Sequence, residues 1–321
     1  VGSVARAHLD ALRQWPQWLA VEEQHVTLLA TPDARDTALA LINRRLHAMG
    51  LIVAWRDETY AVVAAPGAAP LALIERAASR FWGTLTFGAH CNGYVADATD
   101  RPAQLWIARR AAHKPTDPGK LDNLVGGGVP HGQTPFEALL REGHEEAGLP
   151  EAIMRRAQAA SVIGLRCDIA EGFMREDLHT FDLALAPDLE PQNQDGEVQA
   201  LYRMPVAEAI ECAAAGEMTV DAALVTLDFA LRWRLLPAVQ HAAGWVTARL
   251  LGPLRRLAVE VPHRVHHDAR AVAVLDLLGW RVADRPVQTR LIQANVAGRV
   301  EPRLCGAEVH QVERVAGAIH Q

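Results

Sequence analysis

Glu142, Glu145 and Glu146 stand at i, i+3 and i+4 within Glu137-Ala-Leu-Leu-Arg-Glu-Gly-His-Glu-Glu-Ala147. On a helix this spacing puts the three carboxylates on one face, where they repel one another. A hard divalent cation neutralises such crowding. Mg²⁺ is the natural occupant, with Mn²⁺ as its alternative, because it takes oxygen ligands, keeps several waters and shares its shell with substrate phosphates. A glycine run, Gly126-Gly127-Gly128, lies just upstream. The arrangement outlines a metal and diphosphate site. Glu142, Glu145 and Glu146 are its metal ligands, Arg141 orients a carboxylate, and Gly127 and Gly128 sit on the substrate side.

Ligands must be held still, so the helix that carries them has to be well specified. Thr134, Pro135 and Glu137 form a capping box with proline at the first helical position. Gly148 and Pro150 supply the stop. The pattern predicts a helix from about Pro135 to Ala147 with Phe136, Leu139, Leu140 and Ala147 buried. Glu137 is expected to pair with Arg141 one turn on, and the acids to face a cleft. An isolated Glu-x-x-Glu-Glu is ordinarily a solvated face; here caps, glycines and spacing agree.

Gly127 to Leu149 resembles the Nudix box, Gly-x5-Glu-x7-Arg-Glu-U-x-Glu-Glu-x-Gly-U with U aliphatic. Gly127, Arg141-Glu142, Glu145-Glu146 and Gly148-Leu149 match in register. Gln133 stands where the family usually has Glu; it can still donate and accept hydrogen bonds but brings no charge, so the resemblance does not carry a metal or base role to that position. Gly143 replaces an aliphatic residue and costs roughly 1 kcal/mol of helix propensity, so another backbone is expected to pack closely there. The resemblance implies an α/β/α sandwich on a mixed sheet, an α+β fold, and metal-dependent attack on a diphosphate. It also implies an acidic residue from outside the box. Glu197, after Asp195-Gly196, is the candidate, with Glu142 the alternative base.

Further segments resemble one Nudix subgroup, in which a domain of otherwise unknown function precedes the Nudix domain and fungal members are fused to thiamine pyrophosphokinase. These are 50–58, 75–83 and 88–95, Lys120-Leu-Asp-Asn123 and Gln194-Asp-Gly-Glu-Val198. The subgroup implies hydrolysis of thiamine diphosphate, with preference for oxy or oxo damaged forms, to a monophosphate and inorganic phosphate. The chain has no Gly-x4-Gly-Lys-Ser/Thr loop, so hydrolysis is expected rather than pyrophosphoryl transfer. Two other readings stay open: pyrophosphohydrolysis of ADP-sugars or dinucleotides, and a non-catalytic ligand sensor. For a cationic heteroaromatic, Trp55, Phe81 or Trp82 could stack, with Asp57 or Glu58 complementing its charge. His90, Asn92 and Lys120 are the candidate polar contacts.

The chain divides into three regions. Residues 1–92 outline a small α+β domain on the substrate side: a helix over 36–49, a hairpin over 51–63 turning at Arg56-Asp57-Glu58-Thr59, and a second helix over 71–81. Residues 93–237 read as the Nudix domain. Its strands are expected at 105–108, 178–186 and 198–204, and its helices at 205–214 and 221–235, with 121–125 leading into the glycine loop. Residues 238–321 are a poorly readable extension without Phe, Tyr or Lys, whose removal is expected to leave activity intact. His263, His266, His267 and Asp268 there are read as a surface run rather than a metal cluster.

Residues 1–237 carry 21 Lys and Arg against 31 acids, a balance of −10, whereas the remainder carries 11 against 7, or +4, which marks a boundary near Pro237. No dense basic stripe with interleaved aromatics suggests nucleic acid. No apolar run reaches membrane-spanning length and no signal-peptide pattern opens the chain, so a cytoplasmic enzyme is expected. Cys91, Cys167, Cys212 and Cys305 lack paired spacing and read as inert thiols. The partner is a small diphosphate molecule, and the resemblance allows a homodimer.

Overall fold

A computed structural model describes residues 1–236 and the backbone of two later strands, Leu257–Glu260 and Ile292–Val296. The boundary at Pro237, the histidine run at 263–268 and Cys305 lie outside the described residues.

The N-terminal domain comprises β1 (Gly2–Val4), α1 (Leu9–Leu12), β2 (Leu19–Val21), β3 (His25–Leu28), α2 (Arg35–Ala48), β4 (Thr59–Val62), β5 (Ala72–Glu75) and α3 (Ala78–Trp82). Ala38, Leu39, Ile42 and Leu46 bury one face of α2 against Leu12, Ile52, Tyr60, Ile74 and Phe81. Trp82 Nε1 donates to Asn43 Oδ1 at 2.7 Å, satisfying an indole inside that core.

Two expectations fail here. The hairpin over 51–63 does not form: Ala54 and Asp57 have φ of 57° and 58°, left-handed values that break an extended run. Only β4 is a strand, and it pairs with β5, with Tyr60 opposite Ile74. The helix over 71–81 begins only at Ala78, because Ala72 and Ile74 alternate inward as a strand.

Gly83, at φ 57°, and Thr84 alone separate α3 from β6 (Leu85–Ala96). The next elements are β7 (Pro102–Arg110), β8 (Leu121–Asp122), β9 (Val125–Gly128), α4 (Pro135–Ala147), α5 (Glu151–Met154), β10 (Gln158–Ile169) and β11 (Gly172–Ala184). After them come β12 (Val198–Pro205), α6 (Val206–Ala215), α7 (Val220–Arg232), β13 (Leu257–Glu260) and β14 (Ile292–Val296). The large sheet runs β12-β7-β6-β11-β10-β13, with β8 on β7 and β9 on β6, while β14 pairs β1 and β3. β6 and β11 are parallel and the other pairs of this sheet antiparallel, so the sheet is mixed.

Strand alternation builds three layers. Leu105 and Ile107 face α6 and α7 in one core, together with Leu165, Leu178 and Phe229. Trp106 points the other way, with Cys91, Val125, Phe181 and Leu183, into a core shared with Leu139 and Ala147 of α4. The result is an α/β/α sandwich behind a small α+β domain. β6 crosses residue 92, where the first domain was expected to end, and belongs to the sandwich from Leu85 onward. Among the described residues no helix is long and apolar enough to cross a membrane.

Candidate active site

The acid-bearing helix forms as its local signals require. Thr134 Oγ1 accepts from Glu137 N at 3.2 Å and Glu137 Oε2 accepts from Thr134 N at 2.8 Å, closing the capping box; Gly148 ends α4 at φ 61°. Glu137 is therefore occupied at the cap rather than paired with Arg141. Leu139 and Ala147 are fully buried, with Phe136 and Leu140 half-buried against the same core.

Gly126, Gly127 and Gly128 lie in strand β9 instead of a loop, and α4 packs against that strand. Gly126 N donates to Glu146 Oε2 at 2.9 Å. A β-carbon at Gly127 would lie 2.2 Å from Glu142 Oε1, so the glycine is what lets this carboxylate in. Gly143 abuts the Met154 side chain, 2.5 Å from a would-be β-carbon to Cε, where the sequence suggested a backbone. Arg141 donates to Glu142 Oε1 and to Glu145 Oε2, each at 2.8 Å, bridging the two.

Glu142 and Glu146 are buried between α4 and β9, whereas Glu145 is half-buried. Burial raises the Glu142 carboxyl against the opposing pull of Arg141. Burial, and after it the charge of Glu142, pushes Glu146 well above the carboxylate range in spite of its bond from Gly126. Among the described residues no three ligand groups converge as a metal cluster; Glu142 and Glu145 turn to Arg141 and Glu146 to Gly126. The donor set nonetheless fits a hard divalent cation: it is all oxygen, and two of its carboxylates, Glu142 and Glu146, are buried.

A cleft of about 140 Å³ opens beside β9. Gly126, Gly127, Gly128 and His90 line it from the sheet, with Arg110, Glu176 and Asp221, while Arg56, Tyr60 and Arg76 reach it from the N-terminal domain. The domains are fastened there by His131 N donating to Thr59 O at 2.8 Å. His90 is buried against Gly126, its Nδ1 3.0 Å from Asn123 Oδ1. Asp221 has a buried Oδ1 without a hydrogen-bond partner, and burial, followed by the charge of Glu176, pushes its carboxyl up to about 7.

Several expected contacts lie elsewhere. Trp55 does not line the cleft: its Nε1 donates to Asp57 Oδ1 at 2.8 Å and its ring stacks near His47. Phe81 and Trp82 belong to the N-terminal core. Asn92 is almost fully buried in a polar network, donating to Val225 O at 3.4 Å and accepting from Asn123 Nδ2 at 3.2 Å; it ties β6 to α7 and touches no cleft. Lys120 pairs with Asp117 at 3.0 Å on the surface. Glu197 is ion-paired with the buried Lys114. Gln133 follows β9 in a loop away from the cleft, its Oε1 unpartnered. The sequence reading missed Arg56, Tyr60, Arg76, Arg110, Glu176 and Asp221. They are scattered over the chain and none carries a spacing signal; only their arrival on adjoining elements makes them neighbours.

Residues 92–226 match the family described as NUDIX domain, and residues 1–86 match Domain of unknown function (DUF4743). Nudix hydrolase 24, chloroplastic, of Arabidopsis thaliana is 38% identical over 216 residues, covering 66% of this chain and 59% of that protein. Nudix hydrolase 20, chloroplastic, of the same plant is 37% identical over 206 residues, 64% of this chain and 54% of its own length. The uncharacterized protein YJR142W of Saccharomyces cerevisiae is 30% identical over 215 residues, 62% of each chain. The chain thus spans less than two thirds of the length of these relatives. The names of both plant relatives place them in the chloroplast, in contrast to the cytoplasmic setting expected from composition. The residues that match NUDIX domain, 92–226, fold as an α/β/α sandwich on a mixed sheet, directly behind residues 1–86, which match DUF4743.

Proposed function

We propose that the protein is a Mg²⁺-dependent hydrolase that cleaves a diphosphate linkage. The observation that carries this reading is the seating of two buried carboxylates, Glu142 and Glu146, against the glycine strand, whose Gly126, Gly127 and Gly128 also line a cleft that carries arginines. Buried acids that resist ionisation are costly unless a cation relieves them. Glu142, Glu145 and Glu146 would hold Mg²⁺ or Mn²⁺. When bound, such an ion screens the diphosphate charge and acidifies a water.

The chain's own residues supply the rest. Arg141 braces Glu142 and Glu145, and Gly126 N braces Glu146, so the acids are oriented before substrate arrives. Asp221 takes the proton from the attacking water in this reading. It lines the cleft with a partnerless oxygen, and burial pushes its carboxyl up to about 7, into the range of a general base. Glu197 fits that role less well, since Lys114 already engages it.

For the substrate we retain thiamine diphosphate or its oxy and oxo forms, cleaved to the monophosphate and phosphate. The subgroup resemblance supports it, and so does a cleft with two kinds of charge: arginines for a diphosphate, and Glu176 for a cationic ring. The test is phosphate release by the purified protein with Mg²⁺ across thiamine diphosphate, its oxy and oxo analogues, ADP-ribose and NADH, with Glu146→Gln as control. Turnover of the thiamine compounds that vanishes in the variant is expected. Turnover of nucleotides alone would discard the substrate, and undiminished turnover by Glu146→Gln would discard the metal site.

A further inference from the structure

The DUF4743 domain does more than shield the sandwich: it sends charged and polar groups to within contact of the glycine strand. We propose that Arg56, Tyr60 and Arg76 of this domain, with Arg110 of β7, form an anion subsite that receives the phosphoryl group of the substrate lying farther from the acidic helix. The inference rests on the diphosphate reading above and assigns the N-terminal domain a direct part in substrate binding.

Tyr60 is 4% exposed, lines the cleft, and its hydroxyl has no hydrogen-bond partner. Burial holds that hydroxyl well above its ordinary value, so it stays protonated as a donor. It meets the glycine strand closely: a β-carbon at Gly128 would lie 1.7 Å from Tyr60 Oη and 3.0 Å from Arg76 Nη2. A buried donor left unmade costs free energy, and an oxygen of a phosphoryl group beside Gly128 would satisfy it.

The guanidinium groups have an uneven set of partners. Arg76 donates to Glu58 Oε2 at 2.8 Å. Arg110 donates to Asp122 Oδ2 at 2.8 Å and to Thr116 O at 3.0 Å. Arg56 has its backbone N–H on Glu75, but among the described residues its guanidinium has no hydrogen bond or ion pair. It is half-buried, and burial and then the charges of Arg76 and Arg110 weaken its hold on its proton, with Glu197 and Glu58 opposing. Of the five arginines that line the cleft, these three include one whose guanidinium has no hydrogen bond or ion pair among the described residues, and together they match a multiply charged oxyanion, which arginine binds through several parallel N–H groups. Glu176 and Asp221 line the same cleft with Arg80, Arg175 and Glu171, and since Arg80 is paired with Glu171 at 3.5 Å the acids offset the cations at that end. The phosphoryl group is therefore assigned to the Arg56–Gly128 side.

The test uses the full chain and inorganic pyrophosphate as probe, titrated by calorimetry in chelator so that no metal contributes. Wild type is expected to bind, with Arg56→Gln and Tyr60→Phe each weakened by about tenfold. Arg56→Lys should recover part of the loss because the charge returns without the fork. In turnover with Mg²⁺, Arg56→Gln should raise KM by a similar factor with little change in kcat. No metal-free binding by wild type, or unaltered affinity and KM in a folded Arg56→Gln, would overturn the subsite. Glu146→Gln tells this failure apart from failure of the hydrolase reading: it should abolish turnover while leaving metal-free pyrophosphate binding in place.

Discussion

Gly127→Ala isolates the contact that seats Glu142 against the glycine strand, on which the proposed metal site relies. The backbone there is not in the left-handed region, so alanine meets no φ penalty, and the effect is purely steric. The new β-carbon would lie 2.2 Å from Glu142 Oε1, 2.4 Å from Cδ and 2.7 Å from Cγ, against an ordinary contact of 3.4 Å or more. The whole side chain, rather than its tip, must retreat by about 1 Å, a displacement that costs on the order of 100-fold when a catalytic group is misplaced. Stability should change far less: overpacking costs about 1–3 kcal/mol, and loss of glycine's freedom in the unfolded chain returns about 0.4–1 kcal/mol. The variant should therefore stay folded, bind Mn²⁺ at least about tenfold more weakly and release phosphate about 100-fold more slowly. Calorimetric metal titration beside thermal unfolding decides it. A folded Gly127→Ala with wild-type metal affinity would refute the claim that Glu142 is seated by the glycine strand.

Other substitutions probe neighbouring parts of the argument. Burial pushes the Asp221 carboxyl from its ordinary value of 3.8 up to about 7, so the folded state binds its proton more tightly. Its contribution to stability is full below about pH 4 and lost as the pH rises toward 7; Asp221→Asn should raise the melting temperature near pH 8 but not near pH 4, and equal shifts at both would contradict this. Gly143→Ala would press a β-carbon 2.5 Å from Met154 Cε, 2.6 Å from Sδ and 2.8 Å from Cγ. About 1 kcal/mol of helix propensity offsets part of that crowding, so urea unfolding should show a net loss near 1 kcal/mol with metal affinity unchanged.

The acidic helix was legible because its information is local. Cap, glycine stop, inward faces and acid spacing all lie between Thr134 and Gly148, and the structure realises each within a residue. The N-terminal domain was harder because short alternating runs do not declare their partners: β5 looked helical until pairing with β4 decided it. The tryptophans misled for a related reason, since an aromatic near a strand reads the same whether it stacks on a ligand, as expected of Trp55, or on His47, as found. The cleft was not legible at all. Arg56, Arg76, Arg110 and Asp221 are brought together by the docking of β4 on the glycine strand and the packing of α7 on the sheet, long-range events with no local signature.

The two-residue join between α3 and β6 has a consequence for how ligand affinity can be tuned. Gly83 is held with its α-carbon against Ser3 O, 2.3 Å from a would-be β-carbon, and Thr84 leads at once into the central sheet. Only those two residues are available there to absorb a hinge motion, which limits how far the two walls of the cleft can close on a guest. A cleft whose walls move little has its cations aligned when the chain folds rather than when a molecule enters. Recognition should then follow a lock-like regime, with association rates insensitive to solvent viscosity beyond diffusion and selectivity altered only by changing what the walls display.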